Sequence, residues 1–269
     1  MCRALKISRG SYYYEAKKRK SEEKLEEAVV EAFAQSRNAF GTRKLKPILY
    51  KQGFIASRRR IGRIMKKFNL ISKYNRPSYK PQRTGVNQAK IDNKLNRQFN
   101  PTCPMEVLVT DLTYVKVDKT WHYVCFILDL FNREIVGYSA GPNKTADLVL
   151  QALATVKADL HTITLFHTDR GKEFDNHTID RLLETFNIER LLSRKGNPYD
   201  NAVAESTYKS LKFELVYDRT FNTLYELQLQ LMDYVNWWNN FRPHGTLGYQ
   251  SPVEYRENYK RNLHTKGVA

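Results

Sequence analysis

The chain has 269 residues and 41% hydrophobic content, room for one large domain or a medium one with a small companion, and enough apolar mass to exclude wholesale disorder. No apolar run approaches the roughly 20 residues of a membrane helix, no signal peptide is visible, and three cysteines (Cys2, Cys103, Cys125) without zinc-ligand spacing point to a reduced, cytoplasmic setting. The net charge of +17 is uneven: residues 1–100 hold 26 Lys+Arg against 7 Asp+Glu, net +19, while residues 101–269 hold 19 against 21, net −2. A polyanion-binding front joined to a nearly neutral body is the simplest account, and charge narrows the partner to nucleic acid and no further.

In chain order, the helical spacing of Leu25, Val29, Ala32 and Phe33 predicts a helix over residues 22–36. A second helix is expected from about Thr42 to near Gly53, with Leu45, Ile48 and Leu49 on one face. Ser57 is a candidate N-cap for a third, with Ile61, Ile64, Met65 and Phe68 inside and Arg58, Arg59, Arg60, Arg63, Lys66 and Lys67 outside. Two short helices joined through a glycine turn, the second one basic, suit a helix-turn-helix. Its expected DNA contacts are Arg43, Lys44, Arg58, Arg59, Arg60 and Arg63; an ordinary helical hairpin with a solvated basic face is the plainer alternative.

Residues 71–104 read as a basic linker interrupted by Pro77, Pro81, Pro101 and Pro104. The pattern then turns to strands at Val107–Val117, Trp121–Leu130 and Glu134–Ala140. A helix over about 145–158, a strand at 162–167, a helix at 176–187, a strand at 188–192, a helix from 201 to about 215 and a long helix over 223–240 follow. Three strands and then alternating helices and strands predict an α/β fold: a ribonuclease-H-like mixed sheet with flanking helices, preceded by a small all-α helix-turn-helix domain.

Three acidic residues sit where structure alone does not favour them. Asp111 lies inside the apolar strand VLVTDLTYV, although Asp is depleted in strands and a buried charge is costly unless it is paired or metal-bound. Asp169 follows the strand ITLFHT, at the end where α/β sheets carry active-site residues, although Asp before Arg-Gly also makes turns. Glu205 falls in the first turn of its helix, and Lys209 and Lys212 share its face, so a carboxylate lies beside a phosphate-binding track. Asn197, Tyr199, Asp200 and Asn201 form a turn that shapes strand entry or caps the helix. His167 and His244 read as structural, and Trp237 and Trp238 as packing.

Between Asp169 and Glu205 lie 35 residues. With that spacing, VTDLTYV, FHTDRGKEF, GNPYDNAVAESTYKSLKFEL and WNNFRPHGTLGYQSP resemble the catalytic half of bacterial insertion-sequence transposases with retroviral-integrase-like cores. FGTRKLKPILYKQGF and RRRIGRIMKKFNLI resemble the helix-turn-helix that precedes that core. The resemblance spans about residues 22–256, and it departs from the pattern mildly: Leu108 stands near where a Trp is common, and HTD replaces HSD. It divides the chain into an N-terminal segment (1–21), a helix-turn-helix domain (22–70), a basic linker (71–104), a catalytic core (105–218) and a C-terminal helix and tail (219–269).

What the resemblance implies is a transposase whose Asp111, Asp169 and Glu205 are both catalytic residues and metal ligands. Its oxygen-only ligands point to two Mg²⁺ ions, with Mn²⁺ as substitute. Asp111 is expected to bridge both ions, while Asp169 and Glu205 each hold one. Expected partners are double-stranded DNA, as the element's terminal inverted repeats and target DNA, and further copies of the chain in a dimer or larger assembly, in a bacterial nucleoid setting. The opening MCRALKISRGSYYYE looks like the tail of another helix-turn-helix, so a first-frame protein or frameshift fusion is a further expected partner. A ribonuclease-H-like nuclease or resolvase and a non-catalytic DNA-binding regulator are the alternatives.

Overall fold

The computed structural model describes residues 2, 5–6, 8–14, 22–75, 101–168, 171, 174, 176–192 and 202–266. A single turn, α1 (Arg9–Tyr12), precedes three packed helices, α2 (Glu23–Gln35), α3 (Thr42–Lys51) and α4 (Arg58–Lys67). Leu25, Val29, Ala32 and Phe33 are all buried along α2, as their spacing requires. Ser57 caps α4, its hydroxyl accepting the Arg60 amide at 3.2 Å. Gly53 ends the turn after α3 at φ +87°, where a side chain would be strained.

The sheet begins as a meander of β1 (Val107–Val117), β2 (Thr120–Asp129) and β3 (Ile135–Gly141), all antiparallel. β4 (Leu165–Thr168) and β5 (Glu189–Leu192) continue it in parallel, giving the order β3-β2-β1-β4-β5. The crossovers that parallel strands need are α5 (Ala146–Ala154), which leads into β4, and α6 (His177–Thr185), which leads into β5. This is the ribonuclease-H-like mixed sheet that the element order predicts.

Alternation along β1 and β2 gives the sheet two apolar faces. Leu108, Cys125 and Ile127 pack with Leu148, Val149, Ile179 and Leu183 of α5 and α6. Val109, Val115, Val124 and Phe126 face the opposite way, towards α7 (Ala202–Leu211) and α8 (Leu224–Asn240). The buried side chains of α2, α3 and α4 belong to that second core, so the helix-turn-helix unit and the sheet share one apolar interior.

Gly137 lets α5 lie close on β3, since a Cβ there would stand 2.5 Å from the Ala152 carbonyl oxygen. A last helix, α9 (Pro252–Lys266), falls where the sequence reading had only a tail. Among the described residues, no helix is long and apolar enough to cross a membrane. Of the expected linker, residues 76–100 lie outside the described residues, as does most of the 1–21 segment.

Candidate active site and nucleic-acid interface

β4 pairs with β1 only at Val107, Leu108 and Val109. Beyond that point, among the described residues, no strand lies against that edge of β1, and α7 packs there instead. Asp111 is two residues past the last pair. It is half-buried, and one of its carboxylate oxygens accepts the Leu112 amide at 2.7 Å.

Tyr208 fastens α7 to this place. Its ring stacks on Phe126, the cross-strand partner of Asp111, with centroids 5.3 Å apart and planes 8° from parallel. Its hydroxyl accepts the Phe126 amide at 2.8 Å and donates to the Asp111 carbonyl oxygen. Glu205 lies one turn before Tyr208 on the same helix and is exposed. The inner stripe of α7, Ala204, Tyr208 and Leu211, is buried, so Glu205 and Lys209 are left on the outer side. Lys212 is half-buried, with its ammonium 4.4 Å from the centre of the Tyr114 ring.

Asp169 and the turn residues Asn197, Tyr199, Asp200 and Asn201 lie outside the described residues. Among the described residues no group of three metal-ligand side chains is assembled. His167 is buried within β4. Trp237 and Trp238 are buried in the core on α8, as their packing role requires.

At the C-terminal end of α7 the helix widens into a π turn (Lys212–Val216), which carries Glu214 into the interior. Its side chain is fully enclosed and paired with Arg242 at 2.9 Å. Tyr74 and Tyr234 donate their hydroxyls to the same carboxylate at 2.7 and 2.9 Å, and Arg242 reaches Ser210 at 3.2 Å. Burial alone would raise the Glu214 carboxyl, but the charge and hydrogen bonds of Arg242 win and hold it below its ordinary range. His244 is pushed down to about 2 by burial and then by Arg242, and so stays neutral. Sequence reasoning passed over this node. Its signal was a charge at Glu214 on the apolar stripe Ala204, Tyr208, Leu211 and Leu215.

The node joins three parts of the chain, because Tyr74 follows the helix-turn-helix and Arg242 follows α8. Trp237 stacks on Phe40 and donates its indole N–H to the Gln35 carbonyl at 3.1 Å, and Lys51 pairs with Glu254 at 2.6 Å. Of the basic residues expected to meet DNA, Arg43, Arg58, Arg59 and Arg63 are exposed. Arg60 is partly held by Glu22 at 3.1 Å. Lys44 differs: its ammonium lies 4.7 Å over the Phe40 ring, and burial and then Arg242 bring it down to about 7.

Residues 101–198 and 205–259 each match a family model described as an integrase core domain, and residues 20–78 match an HTH-like domain. The chain is 33% identical over 267 residues to the insertion element IS600 uncharacterized 31 kDa protein of Shigella sonnei, covering 96% of this chain and 98% of that one. It is 30% identical to the transposase for insertion sequence element IS904 of Lactococcus lactis, covering 90% of this chain and 97% of that one. Among solved structures, the HTLV-2 integrase catalytic core domain in complex with magnesium matches with a TM-score of 0.47 and 14% identity, over 58% of this chain and 98% of that one.

Proposed function

Because the chain belongs to the insertion-sequence transposases with an integrase core, we propose that it cleaves DNA at the terminal inverted repeats of its element and joins the freed 3′ ends to new DNA. The observation that carries this reading is the docking of α7 at Asp111. Tyr208 ties the helix to the backbone of the strand carboxylate, with Glu205 one turn away and Lys209 and Lys212 following. Two acidic groups beside a basic stripe suit a phosphodiester better than a neutral substrate.

The residues fit a hard divalent cation. Asp111 and Glu205 offer only carboxylate oxygens, the donors that such a cation takes, and Asp111 already accepts the Leu112 amide on one of them. Asp111, Asp169 and Glu205 would hold two Mg²⁺ ions, or Mn²⁺ in their place. When bound, the ions supply charge stabilisation for the attacking and leaving oxygens of an in-line displacement.

Lys209 and Lys212 grip the backbone leading away from the scissile phosphate, while α4 presents Arg58, Arg59 and Arg63 to the major groove and Arg43 supports them from α3. Hydrolysis of one phosphodiester frees a 3′-hydroxyl. That hydroxyl then attacks a second phosphodiester and expels its 3′-oxygen, so the bonds formed and broken balance. Two ends must meet for joining, which calls for at least two copies of the chain, alone or fused to a first-frame segment.

The test is strand transfer in Mg²⁺ on a plasmid carrying both element ends, with Glu205→Gln beside the wild type. Joined products from the wild type alone support the reading. Nicking without joining replaces it with a nuclease, and binding without any metal-dependent product replaces it with a regulator.

A further inference from the structure

The far end of the β1–β2 ribbon carries a second binding surface. Residues of β1 and β2 on the α5 side alternate Leu112, Tyr114 and Lys116 against Cys125, Tyr123 and Trp121. α5 covers the sheet where Cys125 and Ile127 lie, but the ribbon runs on past it. Tyr114 and Trp121 are therefore 55% and 54% exposed, large rings on an uncovered sheet face. They meet edge to face, with centroids 5.1 Å apart, and Lys212 caps the Tyr114 ring. Lys116 and Lys119 are exposed close by.

Exposed aromatic rings on a sheet face, edged by lysines, are how proteins stack unpaired bases while tracking their phosphates. A diagonal aromatic pair does stabilise a hairpin, by about 0.2–1 kcal/mol. That role requires neither the lysine over the ring nor more than half of each residue left in water. The charge around the rings also favours a polyanion over an apolar protein surface.

We propose that Trp121 stacks an unpaired DNA base, with the Tyr114 ring bracing it at a right angle and Lys212 holding its phosphate. Lys212 is seven residues beyond Glu205, a rise of about 10 Å along a helix. For a strand that runs along α7 and keeps about 3.4 Å per nucleotide, the stacked base lies roughly three nucleotides from the bond that is cut. The inference rests on the proposed function for that register only; stacking itself needs neither metal nor catalysis.

The chain's own fluorescence reads the platform. Of three tryptophans, Trp237 and Trp238 are buried at 8% and 3% exposure, so quenching by DNA reports Trp121. The full chain is titrated, without divalent metal, with a single-stranded oligonucleotide and with a blunt duplex. Expected are quenching by the single strand and a loss of single-strand affinity of about tenfold in Trp121→Ala. Trp121→Tyr should restore that affinity, and blunt-duplex affinity should be unchanged in both variants. Equal single-strand affinity in wild type and Trp121→Ala overturns the proposal. Quenching that grows with protein concentration in the absence of DNA also overturns it, because the face then meets a second copy. The Glu205→Gln joining assay is scored separately, so failure of the transposase reading and failure of the platform are distinguishable.

Discussion

The hydroxyl of Tyr208 lies between the Phe126 amide and the Asp111 carbonyl oxygen, so one phenol joins the helix of Glu205 to two neighbouring strands of the sheet. The bridge falls where β4 has stopped covering the edge of β1. Tyr208→Phe keeps the stacked ring and loses only this link. A destabilisation of about 1 kcal/mol is expected by denaturant unfolding. On the proposed reading, joining falls further than stability does, because Glu205 is no longer held in register with Asp111. Joining at wild-type level would show that the hydroxyl serves folding alone.

Glu214 and Arg242 form a pair buried on all sides, and breaking such a pair leaves a charge without compensation. Arg242→Met is expected to cost roughly 3–5 kcal/mol. Adding Glu214→Leu should recover part of that loss, since the orphaned carboxylate is then gone. A double-mutant cycle in urea checks this, and it fails if the double variant is less stable than Arg242→Met.

Lys44 is brought down from 10.5 to about 7 by burial and by Arg242, with Glu214 opposing. Between those two values the unfolded chain binds more protons than the folded one, so stability rises with pH. Wild-type protein should therefore resist urea better at pH 9.5 than at pH 7. In Lys44→Met most of that rise should vanish. An identical rise in the variant would assign the effect to another group.

The basic residues on α4 should separate by salt dependence. Arg59 and Arg63 are exposed, so Arg59→Ala or Arg63→Ala is expected to lower the slope of log K against log salt by about one. Arg60→Ala should change it less, because Glu22 already holds that guanidinium. Duplex binding measured across a salt series decides between these outcomes. Slopes equal to that of the wild type in all three variants would remove α4 from the interface.

Much of this was legible in the sequence because it is periodic. Alternation in VLVTDLTYV and the apolar spacing along α2 and α8 gave elements within a few residues of those observed. Ser57 announced α4 through its capping chemistry. What escaped depends on long-range pairing. α9 is mostly polar, with no strong apolar stripe to betray it. Tyr208 reads as an ordinary core aromatic until β2 is brought beneath it. Lys44 reads as one more basic residue until the fold buries it and brings the charge of Arg242, 198 positions later, to bear on it. Of the candidate triad, the strand context marked Asp111 and the helix face marked Glu205, while the role of both came through resemblance.

The shared interior of α2, α3, α4 and α8 carries a geometric consequence. A recognition unit on a flexible tether would tolerate any spacing between the sequence it reads and the bond it cuts. Here the basic helix and the helix of Glu205 pack into one apolar interior, so on the proposed reading they would act on DNA as a caliper with fixed jaws. Five extra base pairs between recognised sequence and end would turn the bound groove by about half a helical turn, at about 10 base pairs per turn. The jaws would then face opposite sides of the duplex, and cutting would follow the protein's own span instead of the element's boundary.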